Sequence, residues 1–290
     1  MGQGLTLVGL GDSWAWGTEL IDPTTINTPV WDFNLHHLPI NQKYRLEHRY
    51  LNLFADKIGA TSTVDLSWGG ASNDTIIRNL IRWLTDNNYM SGRDTGNLFI
   101  SIGWTSPERK DFYFNKNING HFDINGNPDG WLTIRPNSYH NHGYKELDQF
   151  FNLYVENFWN TQEYMHRWVN QIWQIETLLK SLNIKYVMHQ AFYDHYLKPI
   201  TNWDDETYIK NNHDTIHSVD LKLWNIIDSV KFMNKDNPEI GTFYNYIVNS
   251  VGKSNIKQIF ETQYSNHPNA LGHKIWADYM YEYCLGNNLL

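Results

Sequence analysis

Short apolar segments alternate with segments of helical periodicity along most of this chain. The apolar segments predict strands, and the first and third of them stop directly before a glycine. These predicted strands cover residues 5–10, 63–67, 97–102 and 184–190. The clearest helical spacings between and after them cover residues 44–58, 72–84 and 156–182. Because strands that alternate with helices form parallel sheets covered on both faces, the sequence predicts an α/β protein, a three-layer α/β/α sandwich.

The composition excludes several classes of protein. The length of 290 residues, with 41% hydrophobic and 19% charged residues, suits one globular domain over residues 1–290. A net charge of −8 argues against a nucleic-acid partner, because binding to phosphates requires a basic surface. We also expect no membrane partner, transmembrane helix or signal peptide, since the chain lacks a long apolar run and a basic, apolar leader. Cys284 is the only cysteine, so an intrachain disulfide is impossible, which fits a cytoplasmic location.

Residues 113–145 differ in character from the rest of the chain. They are crowded with Asn, Gly, Asp, Pro and aromatic residues and show no helical period ("NINGHFDINGNPDGWLTIRPNSYHNHG"). We interpret them as an insertion with one hairpin, within the single domain. Long insertions in compact domains often act as lids over a site, and a solvated decoration is the alternative.

Glycine and small polar residues follow three of the predicted strands. Ser13 follows the first strand, Gly69 and Gly70 follow the second, and Gly103 and Thr105 follow the third. Ligands of parallel sheets bind beyond the carboxyl ends of the strands. The sequence therefore predicts a site that these residues share.

Ser13, in the segment "LVGLGDSWAWG", is a candidate nucleophile. A serine hydroxyl reacts only when a base removes its proton, and the backbone N–H groups at a helix start can hold a developing oxyanion. The alternative is that Ser13 is simply the N-cap of the segment that follows it.

His267 is the candidate base. It lies in "NHPNALGHKIWADYM", before a predicted final helix over 268–284. Because a residue that precedes proline avoids the helical region, Pro268 holds His267 on an extended segment before that helix. We expect His273, inside the helix, to be a packing or capping residue.

Together these segments resemble the SGNH (GDSL-type) hydrolases. "GDSWAWG" is similar to the first conserved block of that family, "SWGGASN" to the second and "HPNALGHKIWA" to the histidine block, while "FISIGWTS" stands at the third block. The order and spacing match across nearly the whole chain, and the variants look most like members encoded by tailed bacteriophages. The resemblance implies a flavodoxin-like parallel sheet, and a virion-associated location if the gene is of phage origin.

The resemblance also implies roles for particular residues. Ser13 is the expected nucleophile, and its N–H, the N–H of Gly70 and the hydroxyl of Thr105 are the expected oxyanion donors. His267 is the expected general base and then general acid. The expected supporting residues around them are Asp12, Gly103 and Asn73.

Two positions depart from the family pattern. Thr105 stands where the family has an Asn that donates to the oxyanion. Tyr264 and Ser265 stand where an Asp normally precedes the histidine, so no carboxylate there orients His267. A backbone carbonyl could take that place, and so could Glu261 or Asp194 if the fold brings either one close.

The implied activity is hydrolysis of a small ester, with short acyl groups such as O-acetyl on a carbohydrate as the expected substrate. Trp14, Trp16 and Trp104, with Trp131 of the insertion, are candidate contacts for a sugar ring. The alternative is a catalytically degenerate carbohydrate-binding or phage structural protein with the same fold. We expect no cofactor and no metal ion, since the histidine pair of "HDTIH" at 213–217 lacks a third ligand.

Overall fold

A four-stranded parallel sheet forms the centre of the molecule in a computed structural model. The structure describes residues 4–25, 33–114, 130–134, 145–191, 222–237, 240–260 and 267–290. The strands of the sheet lie in the order β2-β1-β3-β6, and all neighbouring pairs are parallel. Their bounds are β1 Thr6–Leu10, β2 Ser62–Asp65, β3 Leu98–Trp104 and β6 Lys185–Gln190. This order of strands confirms the predicted α/β class.

Helices cover both faces of this sheet. Because successive residues of a strand point to opposite faces, Val8 of β1 packs into one core and Leu7 into the other. The described helices are α1 Ser13–Trp16, α2 Pro39–His48, α3 Tyr50–Lys57, α4 Asn73–Asp86, α5 Lys145–Asn157, α6 Thr161–Ser181, α7 222–226, α8 Phe243–Val251 and α9 Ala270–Gly286. The first core includes side chains of α4 and α6, and the second includes side chains of α3, α8 and α9. The predicted three-layer α/β/α arrangement is therefore confirmed.

Two predicted helices are each divided. The segment predicted as one helix over 44–58 is split at Arg49, whose backbone is extended (φ −72°, ψ 145°) and whose guanidinium pairs with Asp65 at the end of β2. The segment predicted over 156–182 is split before Asn160, whose side chain caps α6 by accepting a hydrogen bond from the Glu163 N–H. Apolar periodicity continues across both breaks, so it does not reveal them.

A separate two-stranded antiparallel sheet consists of β4 Lys110–Tyr113 and β5 Trp131–Ile134. Its second strand lies within the predicted insertion, but β4 begins at Lys110, before the predicted start at residue 113. The remainder of the predicted insertion, at 115–129 and 135–144, lies outside the described residues. Asp111 of β4 ties the hairpin to the start of α4. Its carboxylate accepts hydrogen bonds from Ser72, Thr75 and Arg78 at 2.6, 2.6 and 3.0 Å, and from Thr133 of β5 at 2.8 Å. The hairpin is thus held beside the start of α4, which follows the turn of Gly69 and Gly70.

Within the part of the chain that the structure describes, no helix is both long enough and apolar enough to cross a bilayer.

Two histidines, His189 of β6 and His273 of α9, are buried, and we expect them to make stability depend on pH. Burial lowers the pKa of His189 and of His273 to about 3, so both stay neutral in the folded state. The unfolded chain binds their protons below a pH of about 6.5, and stability therefore falls as the pH drops from there towards 3. Between pH 7 and 5 each histidine should lower the free energy of unfolding by about 2 kcal/mol.

Urea unfolding at pH 7 and pH 5 measures this effect. In His273→Asn the amide oxygen can still accept the hydrogen bond that the Tyr50 N–H donates to His273 Nδ1 at 3.2 Å. That variant should lose about half of the pH dependence that the two histidines produce. His166→Gln, at an exposed position on α6, is the matched control. An unchanged pH dependence in His273→Asn would contradict the prediction.

Candidate active site

Ser13 lies at the start of α1, immediately after β1, where the backbone turns sharply. Gly11 allows this turn because strand ends approach closely there: a Cβ at Gly11 would lie 2.5 Å from Ala15 Cβ and 3.2 Å from the carbonyl oxygen of Gly103. Gly17 then ends the helix in the left-handed conformation, at φ 81°. Gly11 lies two residues before Ser13 and Gly17 four residues after it, so the backbone around Ser13 is confined to one short helical turn between these two glycines.

Asp12, and not Ser13, is the N-cap of α1. Its Oδ1 accepts a hydrogen bond from the Trp14 N–H at 3.0 Å. Ser13 is therefore the first residue of the helix, and its hydroxyl is not used as a cap. This finding removes the alternative interpretation of Ser13 as a capping residue.

The hydroxyl of Ser13 faces His267. The distance from Ser13 Oγ to His267 Nε2 is 2.9 Å. Pro268 pairs with Phe260 in an antiparallel bridge, and Asn269 caps α9 by accepting from the N–H groups of Leu271 and Gly272. The histidine is thus held by the residues that start α9, as the His-Pro sequence predicts.

Glu19 lies next to His267 and is a third residue of the site that was not predicted from the sequence. Its Oε1 lies 3.3 Å from His267 Nδ1, and its side chain is only 10% exposed. A proton on Nδ1 that points at this carboxylate leaves Nε2 as the acceptor for the Ser13 hydroxyl. Ser13, His267 and Glu19 therefore form a line in which each group orients the next.

The same loop supplies both the nucleophile and the carboxylate. After α1 ends at Gly17, Glu19 adopts a left-handed backbone conformation, φ 70°, which turns the chain back towards His267. Glu261, Asp194, Tyr264 and Ser265 all lie outside the described residues. In the sequence, Glu19 is recognisable only as an acidic residue six positions after Ser13, in "SWAWGTE". The spacing does not reveal the left-handed backbone at Glu19 that turns its carboxylate towards His267.

The backbone N–H groups of Ser13 and Gly70 are the two expected oxyanion donors. Gly70 has a left-handed conformation, φ 83°, in a turn that is attached to the end of β1 by the hydrogen bond from Trp68 N–H to Gly11 O at 3.1 Å. Among the described residues, neither the N–H of Ser13 nor that of Gly70 has a protein acceptor. Both groups can therefore donate to a ligand.

The position of Thr105 corrects the expectation that its hydroxyl is an oxyanion donor. Thr105 Oγ1 donates to Asp12 Oδ2 at 2.6 Å, and a hydroxyl has only one proton to donate. The side chain of Asn73 holds the backbone of Thr105 from both sides, with Thr105 N–H donating to Asn73 Oδ1 at 2.9 Å and Asn73 Nδ2 donating to Thr105 O at 3.1 Å. Thr105 therefore supports Asp12, and Asn73 supports Thr105.

Arg109 is a further residue of the site that sequence reasoning did not single out. Its Nη1 lies 3.3 Å from Asp12 Oδ2 and donates to the carbonyl oxygen of Ala71 at 2.9 Å. These two partners are the direct neighbours of Ser13 and Gly70. Arg109 thus links the two segments that carry the available N–H groups.

Gly103 and the tryptophans lie in different environments. A Cβ at Gly103 would lie 2.9 Å from His189 Nε2, so this glycine permits close packing under the site.

Trp14 is 0% exposed and Trp104 is 1% exposed, which corrects their assignment as substrate contacts, because a ring inside the core cannot stack on a sugar. Trp16 is partly exposed beside the site, and Trp131 is partly exposed on β5.

The described residues contain no group of three or more His, Cys, Asp or Glu side chains arranged to hold a metal ion. The histidine pair at 213–217 lies outside them.

One family model matches residues 34–234, which is more than half of the chain, and it is described as a family of unknown function, DUF6071. The match includes the turns that carry Gly70, Thr105 and Arg109 but does not extend to Ser13, Glu19 or His267. Comparison with curated proteins and with solved structures gave no match.

We expect the carboxylate of Glu19 to set the reactivity of Ser13. Glu19→Gln keeps the size of the side chain but removes the charge that favours a protonated imidazole. In serine proteases the corresponding change of acid to amide lowers kcat by about 10⁴. The rate at which a fluorophosphonate labels Ser13 should therefore fall by about 10²–10⁴-fold.

Glu47→Gln, on the exposed face of α2, is the matched control and should label at the unmodified rate. Equal labelling rates in Glu19→Gln and in the unmodified protein would contradict the role of Glu19.

We also expect the hydroxyl of Thr105 to be required for its support of Asp12. Thr105→Val leaves a fully buried carboxylate without one of its donors, which should lower the free energy of unfolding by about 1–3 kcal/mol. It should also slow the labelling of Ser13, because Asp12 starts α1. Thr105→Ser keeps the hydroxyl and should restore both properties. If Val and Ser behave alike in chemical unfolding and in labelling, the hydrogen bond has no such role.

Proposed function

The chain belongs to the family of unknown function DUF6071, and we propose that it is a serine-dependent ester hydrolase in which Ser13 is the nucleophile. The observation that carries this proposal is the line from Ser13 Oγ to His267 Nε2 at 2.9 Å and from His267 Nδ1 to Glu19 Oε1 at 3.3 Å. The resemblance of the first, second and histidine blocks to the SGNH hydrolases supports the same proposal.

In the proposed first half-reaction, Ser13 Oγ attacks the carbonyl carbon of the ester while His267 Nε2 takes the hydroxyl proton. The negative charge of Glu19 stabilises the imidazolium that results. The N–H groups of Ser13 and Gly70 donate to the oxyanion of the tetrahedral intermediate. His267 then gives its proton to the departing alkoxide, which leaves an acyl group on Ser13.

In the second half-reaction a water molecule attacks the acyl carbon, with His267 as its general base. The second tetrahedral intermediate uses the same two N–H groups. Its collapse returns the proton from His267 to Ser13 Oγ and releases the carboxylic acid. The reaction needs no cofactor, because the protein supplies both the nucleophile and the base.

The proposed substrate is a short-chain ester, such as an O-acetyl group, on a carbohydrate. The resemblance supports the short acyl group. The partly exposed ring of Trp16, at the end of the helix that Ser13 starts, supports a flat and partly apolar leaving group.

The alternative is a non-catalytic carbohydrate-binding or phage structural protein with this fold. The observation that favours it is the engagement of Thr105 Oγ1 with Asp12, which leaves the site without the side-chain oxyanion donor of the family. Loss of one such donor lowers kcat by about 10²–10³-fold in subtilisin. The proposed enzyme is therefore expected to be slow, and the two proposals differ in whether Ser13 turns over an ester at all.

Hydrolysis of 4-nitrophenyl acetate and release of acetate from an acetylated oligosaccharide test the proposal. The unmodified protein should turn over both compounds, Ser13→Ala should turn over neither, and Ser250→Ala, at an exposed position of α8, should match the unmodified protein. A fluorophosphonate should label the unmodified protein at Ser13. Absence of both turnover and Ser13-dependent labelling would exclude the hydrolase and favour the non-catalytic alternative.

A further inference from the structure

Arg45 of α2 is a buried cation close to the proposed catalytic residues. The residue is 9% exposed, and its guanidinium carbon lies 4.0 Å from the centre of the Trp16 ring. The side chain runs along the loop that follows Ser13, since a Cβ at Gly17 would lie 3.1 Å from Arg45 Cγ. Arg45 is therefore packed against α1.

Among the described residues, the charge of Arg45 has no carboxylate partner. Its Nη1 makes a long hydrogen bond, 3.4 Å, to the carbonyl oxygen of His36, and its Nε is buried without a hydrogen-bond partner. No Asp or Glu of the described residues lies within ion-pair distance of Arg45. The other buried arginines at this end of the sheet differ, because Arg49 pairs with Asp65 and Arg109 pairs with Asp12.

Besides burial, charges of both signs act on Arg45: Arg49 lowers its pKa, and the weaker effect of Asp65, which pairs with Arg49, raises it. Burial, followed by the charge of Arg49, lowers the pKa of Arg45 to about 10. Burial and the charge of Arg45 lower the pKa of the neighbouring His36 to about 4. A buried charge is costly unless it is paired, and contact with one aromatic ring offsets only part of that cost. An anion bound beside Arg45 would supply the missing compensation.

Arg45 and Trp16 are connected to the proposed oxyanion site. Trp16 ends the helix that Ser13 starts, and a Cβ at Gly69 would lie 3.8 Å from Trp16 Cε3. The ring of Trp68, which precedes Gly69, lies 6.0 Å from the ring of Trp16. Both rings are partly exposed, so Arg45 is packed beneath aromatic side chains that reach the surface next to the glycine turn.

We propose that Arg45 and Trp16 form a subsite for a carboxylate carried by the substrate, so that the substrate class is an acylated acidic carbohydrate. This inference rests on the proposed function, whose substrate it specifies. A planar guanidinium matches the two oxygens of a carboxylate, and the partly exposed rings of Trp16 and Trp68 would supply apolar contact for the sugar ring. Arg45 binds the substrate in this proposal and takes no part in proton transfer.

Binding to the Ser13→Ala variant tests the subsite separately from turnover. The probes are methyl β-D-glucuronoside, which carries a carboxylate, and methyl β-D-glucoside, which is its neutral counterpart. A charged hydrogen bond to the guanidinium should make the glucuronoside bind about tenfold or more tightly than the glucoside in calorimetric titration. Adding Arg45→Gln should abolish this preference, and adding Arg82→Gln, an exposed arginine of α4, should leave it unchanged.

Arg45→Lys tests the same subsite if Arg45→Gln does not fold. Arg45→Lys keeps the charge but loses the two-pronged geometry, and it should reduce the preference for the glucuronoside several-fold. Equal binding of the two probes to Ser13→Ala, no binding of either, or a preference unchanged in Arg45→Lys would overturn the subsite.

The failure of this inference can be distinguished from failure of the proposed function. If a fluorophosphonate labels Ser13 but no Arg45-dependent preference exists, the hydrolase stands and the subsite falls. If the preference depends on Arg45 but Ser13 is neither labelled nor active, the subsite stands as a binding site and the hydrolase falls.

Discussion

The buried carboxylate of Asp12 holds together the segments that form the site. One oxygen accepts from the Trp14 N–H and starts α1, while the other accepts from Thr105 at 2.6 Å and lies 3.3 Å from Arg109. An unpaired charge in this fully buried position would be strongly destabilising, so each donor is needed. Because the donors come from the ends of different elements, the carboxylate fixes the strand ends of β1 and β3 relative to one another. Ser13 is placed by this arrangement before any ligand binds.

The polar residues at the third strand end thus have a supporting role in this chain. Asn73 of α4 holds the backbone of Thr105, and the side chains of Thr105 and Arg109 each donate to Asp12. The consequence is that Thr105 Oγ1 is engaged, while the N–H groups of Ser13 and Gly70 have no acceptor among the described residues. Under the proposed function these two N–H groups are the donors to the oxyanion, and donors held in place need no reorganisation as charge develops.

Much of the fold follows from local patterns in the sequence. Neighbouring residues alone determine the short apolar strands, the glycines at strand ends and the start of α9 at Pro268 and Asn269. The predicted strands and the predicted final helix are therefore close to those observed. The breaks at Arg49 and Asn160 were not predicted. The break at Arg49 accompanies an ion pair with Asp65, and hydrophobic spacing carries no information about a partner so far along the chain. The burial of Trp14 was not predicted for the same reason, because its ring packs against Phe243 and Phe260, which are far away in the chain.

The sequence by itself determined the α/β class, because strand and helix patterns alternate along the chain. It also determined the position of Ser13 after β1 and of His267 before α9, because a short contiguous motif encodes each of them. Only the tertiary structure decided that Glu19 meets His267, that Thr105 turns to Asp12, and that Trp14 and Trp104 are buried while Trp16 lies at the edge. These outcomes depend on the direction in which a side chain leaves its turn and on residues far away in the chain. A left-handed residue at Glu19 brings its carboxylate to His267, and no local pattern specifies that contact.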